Sequence, residues 1–103
     1  MSEPIPKEVI REELLENFRN LARYWAQSKG TDLEKCEGLV HSILTTFDGL
    51  SAFPAIDLVM RPHPDDKQYF INNGCDYIED GTVINDDVVL NDLFYSKAES
   101  KEG

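Results

Sequence analysis

Long apolar runs are missing from this sequence, and so is positive charge. No stretch approaches the roughly 18 apolar residues that a membrane-spanning helix needs. Lys and Arg number 10 against 20 Asp and Glu, for a formal net charge of −10 over 103 residues. A chain with that balance repels phosphate backbones and anionic lipid surfaces, so neither direct nucleic-acid binding nor membrane association is expected. There are two cysteines, Cys36 and Cys75, and two histidines, His41 and His63. They form no CxxC pair, no disulfide framework and no zinc-finger spacing. Also missing are a phosphate-binding glycine loop, a basic–aromatic stripe and any Ser/His/Asp arrangement. The opening Met-Ser-Glu-Pro carries no basic segment and no apolar run. A secretory leader is therefore not expected, and the cytoplasm is the expected compartment.

What is present suits one modest domain. Hydrophobic residues make up 41% and charged residues 29%, which are ordinary globular values that argue against wholesale disorder. The negative charge is uneven. Residues 51–96 hold nine acids against Arg61 and Lys67, whereas residues 1–50 hold nine acids against six bases. The expected organisation is a single domain over 1–96 and a polar, flexible tail over 97–103.

Two helices open the chain. Ile10, Leu14, Phe18, Leu21, Ala22 and Trp25 recur at spacings of three and four, predicting a long amphipathic helix over 7–29 that outruns so small a core. Gly30 is its expected left-handed cap. Thr31-Asp32-Leu33-Glu34 is a capping box opening a second helix to about Asp48. Leu33, Cys36, Val40, Ile43, Leu44 and Phe47 form its apolar stripe. The short connection predicts an antiparallel hairpin of the two.

The second half changes period. Ile56, Leu58 and Met60 alternate with Asp57, Val59 and Arg61, which predicts a half-buried strand. Pro64 followed by Asp65 and Asp66 predicts a short helix through about Asn72. Tyr77-Ile78 and Val83-Ile84 flank Asp80-Gly81, a hairpin signal. Asp86 is the expected cap of a last helix bearing Leu90, Leu93 and Phe94. The expected fold class is therefore α+β: a helix hairpin packed on a small sheet of about three strands, with short helices after the first strand and at the C-terminus. Three strands is the bare minimum for a stable sheet, so its completion by a second subunit is open.

Few residues suggest chemistry. His63, Asp65 and Asp66 lie together after the expected strand, and a histidine with two carboxylates can hold a divalent metal. The string His63-Pro64-Asp65-Asp66 resembles the HPDD motif of the PIG-L/LmbE zinc deacetylases. That resemblance implies zinc on His63 and Asp66, with Asp65 activating water. It spans four residues, and the further downstream histidine of that family has no counterpart here. The plainer reading is a proline-opened helix start with acids matched to the dipole. Asp76 to Asp87 partly fits a calcium loop, but Ile78 and Ile84 fall where oxygen ligands belong, which favours a hairpin. His41 reads as a boundary residue, Cys36 as core and Cys75 as an unactivated loop thiol. No cofactor is expected. Adjacent aromatics cannot share the centre of one helix face. Trp25, Phe70 and Phe94 therefore fit inward positions, leaving Tyr24, Tyr69 and Tyr95 as candidate interface residues.

Glu37 to Leu44, Phe47-Asp48-Gly49, and Ala55 to Val59 running on through Pro62 to Lys67 together resemble small uncharacterised bacterial proteins, often encoded near mobile elements. That resemblance implies no particular activity. A looser likeness, in size and charge only, is to toxin-immunity proteins. The leading functional expectation is a non-catalytic, acidic interaction or adaptor module, a homodimer or small homo-oligomer. The alternatives are an acidic inhibitor of immunity type that covers a basic protein partner, and a metal-dependent hydrolase using His63, Asp65 and Asp66.

Overall fold

The computed structural model describes residues 2–100, with side chains through residue 95. Its elements are α1 (Lys7–Gln27), α2 (Asp32–Phe47), α3 (Asp66–Asn72) and α4 (Leu90–Ser100). The expected α+β class with a sheet is thereby corrected: among the described residues there are four helices and no strand, only an isolated antiparallel bridge between Val59 and Val83. None of these helices is long and apolar enough to cross a membrane. The tail expected from residue 97 falls within α4 as far as Ser100, and residues 101–103 lie outside the described residues.

The helix hairpin forms as its pattern requires. The Thr31 hydroxyl accepts from the Glu34 N–H at 3.1 Å, and the Glu34 carboxylate accepts from the Thr31 N–H at 2.8 Å. Both bonds satisfy donors that a helix start leaves free. They favour the charged carboxylate, so Glu34 is held below its usual 4.5, the backbone bond from Thr31 being the larger cause. The two helices meet along a seam set by small residues. Gly38 presents bare backbone to the Trp25 indole, so closely that an added Cβ would stand 2.4 Å from its ring. The indole N–H then reaches the Ser42 hydroxyl at 2.9 Å. One turn on, the fully buried Thr46 accepts from the Asn17 amide at 3.3 Å, and Phe18 meets Phe47 edge to face.

α4 begins at Leu90 and is not capped by Asp86. Asp48, the C-cap of α2, caps it instead. Its carboxylate accepts from the N–H groups of Leu90 and Asn91, at 2.8 and 3.0 Å, and from the Asn91 side-chain amide at 2.9 Å. A carboxylate at a helix N-terminus matches both the free donors and the dipole. It joins residues more than forty apart in sequence, holding α4 on α2.

The missing sheet has a local cause. Ile56, Leu58 and Met60 do turn inward while Asp57, Val59 and Arg61 are exposed, so the period of two is real. Yet the ladder is broken by Asn85, whose side-chain amide accepts from the Leu58 N–H at 2.9 Å and donates to the Ile56 carbonyl at 2.8 Å. A side chain there occupies bonds that a neighbouring strand would need. The Asp80-Gly81 turn forms, with Gly81 at φ +85° and the Thr82 N–H reaching the Glu79 carbonyl. But Val83 and Ile84 return beside Val59 and Leu58, not beside Tyr77 and Ile78 as the hairpin signal implied.

Three outcomes follow. Asp48→Ala lowers unfolding free energy in urea by about 1–3 kcal/mol, the range for a charged cap, while Asp86→Ala stays within about 0.5 kcal/mol. Gly38→Ala destabilises by about 1–3 kcal/mol despite alanine's better helix propensity, and red-shifts Trp25 fluorescence as the indole is displaced. Because the folded Glu34 pKa is depressed, the capping box contributes above the ordinary carboxylate range and weakens as pH falls through it. A carbon-detected NMR titration should place the Glu34 midpoint below its usual value, and Thr31→Ala should move it upward.

Candidate interaction surface

No apolar residue among the described ones is fully buried; the buried side chains are Thr46 and Asn91. Stripe positions expected inside are open: Leu33 is 68% exposed, Val40 is 40% exposed, and Cys36, read from the pattern as core, is exposed. Val9 and Ile10 are likewise exposed at the end of α1, where residues 7–13 all face solvent. The cause is architectural. α1 packs on α2 and α2 on α4, but α3 packs on no other helix, so the helices form an open layer.

The expected tyrosines are placed differently from one another. Tyr24 and Tyr69 stand out at 64% exposure each, whereas Tyr95 lies against the His41 ring with centroids 4.8 Å apart. None of the three pairs with another of them among the described aromatic contacts. Trp25 and Phe94 point inward as expected; Phe70 does not, being exposed on α3. His41 carries a buried Nδ1 with no hydrogen-bond partner and borders a polar hollow with Asn17, Ser42 and Thr45.

The His63 cluster is turned toward its own backbone. The Asp65 N–H donates to His63 Nδ1 at 3.1 Å, and the Asp66 carboxylate accepts from the His63 N–H at 3.2 Å. His63 and Asp65 are both well exposed, and the described residues hold no group of three or more His, Cys, Asp or Glu placed around one point. These bonds tie the turn that precedes α3 to its own backbone, and the N-cap Asp65 makes no side-chain capping bond. Beside it, Lys67 pairs with Glu79 at 3.3 Å and covers the Tyr77 ring at 4.9 Å. The hydrogen bond that Lys67 donates to the Glu79 carboxylate is the main cause that raises the Lys67 pKa above 10.5.

Two surfaces stand out for shape. A shallow apolar groove of about 180 Å³ runs between α1 and α2, lined by Ala22, Trp25, Ala26, Lys35, Cys36 and Leu39. Opposite in character is an arm over residues 67–82, in which every residue is exposed, including Tyr69, Phe70, Ile71, Tyr77 and Ile78. The arm holds its own shape. Its helix ends in a Schellman motif, with the Cys75 N–H on the Phe70 carbonyl, the Gly74 N–H on the Ile71 carbonyl, and Gly74 at φ +69°.

Sequence reasoning missed the Asp48 clamp, the Asn85 rung and the groove. Each is a tertiary pairing with no local pattern, although a glycine inside an apolar helix, as at Gly38, is a usable sign of close approach. Comparison of the chain with family models, curated proteins and solved structures returns no match. In the arm, a raised lysine pKa means the Lys67–Glu79 pair contributes below the ordinary lysine range and is lost as the amine deprotonates above it. Glu79→Gln should return the Lys67 midpoint toward its ordinary value in an NMR titration.

Proposed function

We propose that the chain is a non-catalytic, acidic interaction module that works as a self-associated assembly. The single observation that carries this reading is the area it leaves open. The accessible surface is 8344 Å² for 11.7 kDa, whereas a folded monomer of that mass exposes about 5,900 Å². The surplus of roughly 2,400 Å² per chain falls in the class of large, permanent interfaces. The radius of gyration, 17.7 Å, tells the same story: a compact chain of this length reaches about 13 Å. The surplus includes exposed apolar side chains such as Leu33, Tyr69, Ile71 and Ile78, and exposed apolar patches mark places of association. Interaction, not catalysis, is favoured because His63 Nδ1 and the Asp66 carboxylate are engaged with backbone N–H groups of the turn before α3.

Sedimentation velocity and native mass spectrometry of the untagged protein, from micromolar to near-millimolar, test the reading. The expected result is a discrete oligomer that dissociates on dilution or under denaturant with loss of helicity. A monomer throughout that range overturns it.

A further inference from the structure

We infer that the hollow between two turns, over residues 62–65 and 78–81, docks a basic segment of a partner protein, with one arginine side chain seated in it. The inference goes beyond self-association and does not depend on it. Three observations carry it.

First, the hollow has the lining that an amphipathic side chain needs. Its volume is about 240 Å³, and Pro62, Pro64 and Ile78 give it apolar walls beside His63, Lys67, Glu79 and Asp80. Ile78 is 53% exposed. An arginine lays its aliphatic stem on such walls and keeps its guanidinium at a carboxylate rim.

Second, the negative charge here is uncompensated. The Asp66 carboxylate accepts from the His63 N–H, and the Asp65 carboxylate stands 3.8 Å from His63 Nδ1. Both therefore join Glu79 and Asp80 at the hollow, four carboxylates against the ammonium of Lys67. That ammonium is already engaged by Glu79 at 3.3 Å. Asp80 enters no ion pair among the described residues. Arg61 precedes the first turn and does not line the hollow. From Pro62 to Asp92 the chain holds eight acids and no Lys or Arg besides Lys67. The complement of such a surface is basic, whereas nucleic acid and anionic lipid are repelled. The carboxylates do not form a group that could hold a metal ion; they frame a space of side-chain size.

Third, the hollow is preformed. The first turn is tied to its own backbone through His63 Nδ1 and Asp66. The second is closed by the Thr82 N–H on the Glu79 carbonyl. The Lys67–Glu79 pair joins α3 to that second turn, so little ordering entropy is lost on docking.

The test uses a short peptide of alternating arginine and leucine, and a matched peptide with serine in place of leucine. Amide shifts in a titration of the full chain should concentrate at residues 62–67 and 77–81. By calorimetry at physiological ionic strength, Asp80→Asn and Ile78→Ser should each weaken binding about fivefold or more. Glu13→Gln, which removes an equal charge from the exposed start of α1, should stay within about twofold. The serine peptide should bind wild type about fivefold more weakly, having no apolar side chains to lay beside Ile78. Circular dichroism of each variant should match wild type. Shifts scattered over the acidic surface overturn the inference, and so does Asp80→Asn costing no more than Glu13→Gln, since either reports diffuse attraction. Equal binding of the two peptides, or none by either, overturns it as well. An oligomer that ignores both peptides leaves self-association standing, and a monomer that binds at the hollow leaves only the docking site.

Discussion

The approach of the Trp25 indole to the bare backbone of Gly38 sets the geometry on which the other contacts depend. No other residue type leaves room there, since a Cβ would enter the ring. With the indole seated, its N–H meets Ser42, Asn17 meets Thr46 one turn further on, and Phe18 meets Phe47. Those contacts fix the helix pair in register and leave the end of α2 where Asp48 can reach α4. The seam is polar as well as apolar. Hydrogen bonds between side chains thus specify an alignment that apolar area alone would leave loose.

An open layer follows from how few residues are spent on covering it. α1 is longer than α2, so its first turns have no neighbour. Residues 54–84, where the sequence pattern predicts the strands of a sheet, instead form one bridge, one short helix and a turn. The surface left uncovered exceeds what a compact chain of this mass exposes.

The local features were legible and the long-range ones were not. The two long helices, the capping box at Thr31 and Glu34, and the turn at Gly81 each rest on residues within a few positions of one another, and each is present. The period of two at Ile56–Met60 matches the alternating exposure there but not the backbone, which forms no strand. Alternation reports which way side chains point, while a strand requires a partner backbone, and Asn85 occupies those bonds. Asp86 has the local form of a cap, yet Asp48 has the position. At the candidate surface, Tyr24 and Tyr69 were legible as exposed, but the groove beside Trp25 depends on how two helices meet and has no sequence signature of its own.

Asp48 sits at two helix ends of opposite polarity. For α4 its carboxylate lies at the positive pole, where it is favourable; for α2 it lies at the negative pole, where an anion is unfavourable. The position is sustained only while α4 is docked. Once α4 lifts, the same carboxylate repels the carbonyl end of its own helix, and the last turn of α2 loses its reason to stay wound. Detachment and fraying are thus coupled through one side chain, making the two ends a single unit of local unfolding.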